Sequence, residues 1–249
     1  MELSDFFQEN PKIALAFSGG VDSAFLLYAA KEYGADTTAY YVKTAFQPRF
    51  EYEDACRLAD ELKMPMKTIE LDVLADEAVS SNPKNRCYYC KRRIFTAILS
   101  AAKDDGYTVV MDGTNASDDA NDRPGMKALS ELSVHSPLRK CGLTKDMIRS
   151  LSKEAGLFTW DKPAYACLAT RIPTGTEITE DLLIRTEMSE NYIRTLGFTD
   201  FRIRLMGDAA RLQLKESQFE LLFTRRCEIF DTLRRYYSAV LLDLEVRDE

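Results

Sequence analysis

Ile13-Ala-Leu-Ala-Phe17-Ser18-Gly19-Gly20-Val21-Asp22-Ser23 is a short apolar run that breaks at two glycines and passes into a helical pattern. Ile13 to Phe17 reads as a buried strand, and Asp22 to Tyr33, ended by Gly34, reads as the helix after it. Paired glycines let the backbone turn tightly and approach a ligand. The helix start then offers N–H groups and the positive end of its dipole. Ser18 and Ser23 add hydroxyls, so the loop suits an anion the size of pyrophosphate. It has neither the lysine of the Gly-x-x-x-x-Gly-Lys-Ser/Thr pattern nor the Gly-x-Gly-x-x-Gly spacing. For a Gly-Gly pair alone, a plain strand-to-helix turn is the other reading.

Outward from this loop, strand and helix signals alternate. Thr37–Lys43, Met66–Leu71 and Tyr107–Met111 read as strands; Phe50–Lys63, Cys90–Asp104, Met126–Leu132 and Thr144–Ala155 read as helices. Such alternation implies crossover connections, hence an α/β domain with a doubly wound parallel sheet. Ligands of such a sheet sit outside the carboxyl ends of its strands. Proline and glycine near Pro163 and Pro173–Gly175 interrupt the pattern. The expected division is a first domain over 1–160, a linker over 161–178 and a smaller C-terminal α+β domain over 179–249.

The chain of 249 residues carries 33 basic and 40 acidic side chains, a net charge of −7, with 45% hydrophobic residues. That is ordinary globular composition, which excludes disordered and collagen-like chains. A pI near 5.0 counts against nucleic acid as a partner, because binding a polyanion needs a cationic face. Met1 to Pro11 has no cationic stretch ahead of an apolar run, so no secretory signal is expected, and no run reaches the ~20 residues of a bilayer span. A cytoplasmic protein without a membrane partner is expected, and a homo-oligomer. In a reducing compartment the six cysteines are thiols or metal ligands.

A second polar string follows the last strand of the first domain: Asp112-Gly113-Thr-Asn115-Ala-Ser-Asp118-Asp-Ala-Asn-Asp122-Arg123-Pro-Gly125. Its carboxylates and amides suit Mg²⁺ or nucleotide hydroxyls; an Asx-rich turn into a helix is the plainer reading. Both strings, in this order, resemble the PP-loop ATP pyrophosphatases, an adenine nucleotide alpha hydrolase-like fold. The resemblance implies ATP as cosubstrate with Mg²⁺, cleaved between the α- and β-phosphates, bound by Ser18, Gly19, Gly20, Val21, Asp22, Ser23, Gly113, Asn115 and Asp118, with Asp22 catalytic.

Cys87 and Cys90 lie three residues apart at a helix start, where the dipole favours thiolate, and Cys167 follows in Pro163-Ala-Tyr-Ala-Cys167-Leu-Ala-Thr170-Arg171. Because both stretches come after strands, the three sulfurs are expected to meet beside the nucleotide loop. Three thiolates suffice for a [4Fe–4S] cluster with one iron open. Zinc with a water ligand and three packed thiols are the alternatives. Cys56, Cys141 and Cys227 have no such partners and read as packing residues.

Taken together, these residues are similar to the LarE family of PP-loop sulfur transferases, and the likeness extends to Arg202-Ile-Arg204 and Gly207-Asp-Ala-Ala-Arg211. It implies adenylation of a carboxylate of pyridinium-3,5-biscarboxylic acid mononucleotide and its conversion to a thiocarboxylate for a nickel-pincer cofactor. Some members sacrifice one cysteine. Those with three resemble a cluster-dependent type, here with Cys87, Cys90 and Cys167 as catalytic ligands. Thr170, Arg171, Glu190, Arg202 and Arg204 are the expected substrate contacts, with Thr170 where the family often has serine. Surface salt bridging is the plainer reading of each arginine, and a solvated helix face that of Glu190. His135 and Trp160 are given no chemistry. A PP-loop tRNA thiolase and an amide-forming synthetase are the alternative functions.

Overall fold

A computed structural model describes residues 2–118 and 124–247. Its chain divides into two compact units, Met1–Val73 with Asn85–Ala164, and Leu74–Lys84 with Tyr165–Glu249.

The first unit is the α/β layer expected. Its sheet runs β3 (Met66–Glu70), β2 (Asp36–Lys43), β1 (Lys12–Ala16), β4 (Val110–Met111), all parallel. Successive side chains on a strand face opposite ways, and here both faces are covered. Ile13 and Leu15 of β1 pack with Leu26, Leu27 and Ala30 of α2 (Val21–Glu32) and Leu58 of α3 (Arg49–Leu62). Ala14 packs with Tyr40, Val42 and Ile98, the last on α5 (Arg86–Asp104). The order reverses at β1 and β4, so the crevice at their carboxyl ends is the switch point, where both polar strings emerge.

Several elements exceed the sequence reading. The N-terminal segment forms α1 (Leu3–Glu9), which buries Leu3, Phe6 and Phe7. Helix α4 (Glu77–Ser80) lies between the strand read over 66–71 and the helix read over 90–104, and α7 (Pro137–Lys140) precedes α8 (Lys145–Glu154). α5 begins at Arg86, which makes both Cys87 and Cys90 helical. Strand β4 is shorter than read, although Ala14 N–H still bonds Val109 O at 2.9 Å and Met111 bridges to His135. α6 (Pro124–Glu131) follows the acidic string, whose part at 119–123, with Asp122 and Arg123, lies outside the described residues.

The second unit pairs β5 (Arg202–Met206) antiparallel with β6 (Ala209–Gln213), turning through Gly207 at φ +60°. β7 (Val240–Leu242) then joins β6 in parallel after α10 (Phe219–Leu233). Ile203, Leu205 and Leu212 form its core with Ile193 of α9 (Glu180–Thr195) and Ile229 of α10. Leu74–Lys84 belongs here through Gly175 N–H to Asn82 O (2.8 Å) and Ile178 N–H to Ser80 O (2.7 Å). Among the described residues no helix is long and apolar enough to cross a membrane.

Candidate active site

Gly19 turns the chain out of β1 at φ +73°, a conformation that penalises a side chain. A Cβ there would also stand 3.0 Å from Ala55 Cβ on α3. Gly20 is the N-cap of α2 and supplies no side-chain cap, which leaves the first-turn N–H groups for a ligand. Ser18 Oγ and Ser23 Oγ lie 3.1 Å apart across the loop, and Ser23 Oγ donates to Gly20 O at 3.2 Å.

The second string closes over this helix start. A Cβ on Gly113 would lie 2.9 Å from Ser23 N and 3.2 Å from Ser23 Cα, so only glycine permits the approach. Asn115 Nδ2 donates to Asp22 Oδ1 at 3.2 Å, and Asp118 Oδ2 accepts the Asn115 N–H at 3.0 Å. Thus Ser18 to Ser23, Gly113, Asn115 and Asp118 come together as one site.

Two lysines that the sequence reading missed complete it. Lys145 Nζ, on the first residue of α8, donates to Asp22 Oδ2 at 2.6 Å. Lys162 Nζ meets Glu51 Oε2 at 3.0 Å and Asp54 Oδ2 at 2.7 Å and lies 3.5 Å from Gly19 O. Thr144, a helix cap directly before Lys145, was the one sequence signal for the first; Lys162 had read only as linker.

Beside the loop lies a cleft of about 170 Å³, walled by Phe17, Tyr41, Val42, Ile94 and Phe95, with Gln47 and Lys91 as polar groups. Its apolar walls, with few polar groups, are of the kind that accept a flat heterocycle. Cys87, Cys90 and Ile94 share one face of α5 by their spacing. The Arg86 guanidinium is 3.8 Å from Cys87 Sγ. None of the six cysteines is in a disulfide.

In the second unit Cys167 heads a short 3₁₀ helix, Leu168–Arg171. Thr170 bonds back to Cys167 O through its N–H (2.9 Å) and its Oγ1 (2.8 Å). Arg171 and Glu190, each 1% exposed, form a bidentate pair at 2.8 and 3.1 Å. Glu190 also accepts from Tyr165 Oη (2.5 Å) and the Ile203 N–H (3.0 Å), so four donors surround this carboxylate. Burial and the Arg171 and Arg247 charges push Arg202 down to about 10, and burial followed by Arg171 lowers Arg204. Asp200, 3.7 Å from Arg202 and 2.8 Å from Arg247, supplies part of the countercharge to these crowded guanidinium groups. Thr170 and Arg171 are bonded to the Cys167 segment and Glu190 to Arg171, while Arg204 Nη1 donates to Thr170 O at 3.1 Å and Arg202 lies over the Tyr165 ring, 5.3 Å from its centroid. Arg171 and Glu190, expected on the substrate, are occupied by each other and by neighbouring groups.

Among the described residues no three or more His, Cys, Asp or Glu side chains gather as a metal-ligand set. The donor chemistry nevertheless fits both expected groups. Asp22 and its amide and carboxylate neighbours are hard oxygen donors suited to Mg²⁺. The thiols of Cys87 and Cys90, about one turn apart at a helix's positive end, and that of Cys167 in the second unit are soft donors of the kind iron and sulfide take.

No family profile matches the chain. Pyridinium-3,5-bisthiocarboxylic acid mononucleotide synthase of Lactiplantibacillus plantarum is 34% identical over 83% of this chain and 76% of its own length. An uncharacterized protein of Synechocystis is 34% identical over 98% of this chain and 92% of its own. A tRNA-specific 2-thiouridylase of Clostridium botulinum is 31% identical over 60% of this chain and 52% of its own. With the glycine-built loop at the switch point and a relative this similar over most of both chains, the protein belongs to the LarE family of PP-loop sulfur transferases.

Proposed function

We propose that the protein is an ATP-dependent sulfur transferase acting on pyridinium-3,5-biscarboxylic acid mononucleotide in nickel-pincer cofactor synthesis. The observation that carries this reading is Asp22, held by Lys145 and Asn115 at the start of α2, where the loop's N–H groups await a polyphosphate. The L. plantarum relative's name supplies the substrate class. A carboxylate oxygen of the substrate attacks the α-phosphorus of ATP; a P–O bond forms, the α–β bridge breaks and pyrophosphate leaves. Sulfide-level sulfur then attacks the acyl carbon, and AMP departs with the original carboxylate oxygen. Loop N–H groups and the Ser18 and Ser23 hydroxyls steady the phosphates, and Lys145 offsets charge on the departing pyrophosphate. Asp22 would hold Mg²⁺, with Asn115 and Asp118 beside it. Arg202 and Arg204 bind the substrate's phosphate or carboxylates, with Thr170 adding a hydroxyl.

Cys87, Cys90 and Cys167 would ligate a [4Fe–4S] cluster, whose open iron, when the cluster is bound, supplies a place for sulfide. The net charge of −7 supports a small nucleotide-like substrate over tRNA. We place the protein, as a homo-oligomer, in the cytoplasm, whose reducing conditions keep these thiols available.

Anaerobically purified protein is the test. It is expected to be brown, to form AMP and pyrophosphate, and to keep its polypeptide mass after one turnover. Changing any of the three cysteines to alanine is expected to remove iron and sulfur transfer together while AMP still forms. A colourless, iron-free protein that loses about 34 Da at Cys167, as H₂S elimination would require, overturns the cluster reading. ADP as the main nucleotide product overturns the adenylation reading.

A further inference from the structure

Glu190 and Arg171 have another use than touching substrate. The pair is buried, and the Arg171 fork does more than close on Glu190. Its Nη1 donates to Ala166 O at 2.9 Å and to Thr170 Oγ1 at 2.8 Å, while Thr170 itself bonds Cys167 O. Its planar face covers the Tyr165 ring, 4.7 Å from the centroid, and the Tyr165 hydroxyl returns to Glu190. Glu190 is then fastened to the sheet by the Ile203 N–H of β5, the strand that carries Arg202 and Arg204. The residues on both sides of Cys167 are therefore tied, through one ion pair, to the strand of the candidate anion-binding arginines. A planar guanidinium with several donors can serve a carboxylate and two other acceptors together, which a lysine amine cannot do in this geometry.

We infer that Arg171 and Glu190 are positioning residues that fix the Cys167 segment against β5, with no direct contact to the substrate. The inference rests on the reading of Cys167 as the sulfur-site cysteine, but the geometry it concerns is measurable apart from that reading.

The experiment compares wild type, Arg171→Lys and the double variant Arg171→Met with Glu190→Leu, each as the full chain. The double variant removes both buried charges, so the fold keeps an apolar interior while the tie to Ala166 and Thr170 is lost. Amide exchange across 166–171 is expected to rise about tenfold in both variants, with exchange unchanged in β6 and in β5 apart from the Ile203 N–H, which loses its Glu190 acceptor in the double variant. Sulfur-transfer kcat is expected to fall about ten- to a hundredfold, KM for the dicarboxylate to stay within about twofold, and AMP formation to persist. Unchanged exchange across 166–171 in both variants overturns the inference, as does a raised KM with kcat intact. If wild type transfers no sulfur, the proposed function fails, and the exchange comparison alone still decides whether the pair positions this segment.

Discussion

Gly113→Ala tests the closure of the second string over the nucleotide loop. The added Cβ would stand 2.9 Å from Ser23 N, 3.2 Å from Ser23 Cα and 3.3 Å from Asp22 C. All three are backbone atoms of the first turn of α2, so no flexible side chain can swing aside. Relief requires the loop or the helix start to move by several tenths of an ångström. Overpacking of this kind costs about 1–3 kcal/mol. For a protein of this size each kcal/mol lowers Tm by about 2–4 °C, so a drop of about 2–12 °C is expected. The displaced atoms include the Ser23 N–H, so ATP affinity should fall by about tenfold, equivalent to ~1.4 kcal/mol. Gly20→Ala is the control. Its Cβ would meet only Ser18 Oγ, at 3.5 Å, from a backbone at φ −80°, and its cost should stay below about 1 kcal/mol. Thermal melts with calorimetric ATP titration read both effects. A Gly113→Ala protein melting within about 1 °C of wild type would mean that the start of α2 does not constrain position 113.

Lys145→Met should change stability by less than about 1 kcal/mol, because both ends of its ion pair are partly exposed, yet slow AMP formation about a hundredfold. Chromatography of the nucleotide products checks this, and undiminished AMP formation counts against the role given to Lys145. Lys162→Met removes the cation that Glu51 and Asp54 share and should lower stability by about 1–3 kcal/mol, read in urea melts. Burial, and secondarily Lys140, hold His135 below its ordinary value of 6.5, so the unfolded chain takes up this proton first as pH falls. Its contribution is whole above pH 6.5 and is lost as pH falls through the lowered folded value. His135→Asn should therefore flatten the fall of Tm between about pH 7 and 5, and a variant with the wild-type slope would contradict this.

Much of the first unit was legible because its signals are local. Ile13 to Ser23 holds a strand, a turn and a helix start in eleven consecutive residues, and Thr144 announces α8 by the bond its side chain accepts from Met147 N–H. The lysines were not legible for the opposite reason. Lys145 and Asp22 are 123 positions apart, and Lys162 and Glu51 are 111 apart. A lysine ordinarily sits in water, so nothing local marks either one as bound to the nucleotide loop. Glu190 read as a substrate contact or, more plainly, as a solvated helix face, and its buried pairing was not legible because only the fold places Arg171, Tyr165 and the Ile203 N–H around it. Helix α1 escaped notice because its apolar face is short and is completed only by tertiary packing.

The most direct test of the proposed chemistry follows the oxygen. The dicarboxylate mononucleotide is labelled with heavy oxygen in its carboxylates and turned over once with ATP, Mg²⁺, sulfide and the anaerobic protein. The expected products are AMP that carries one heavy oxygen atom, unlabelled pyrophosphate, and a thiocarboxylate in which one sulfur has replaced one labelled oxygen. Unlabelled AMP, or label found in inorganic phosphate beside ADP, would contradict the proposed chemistry.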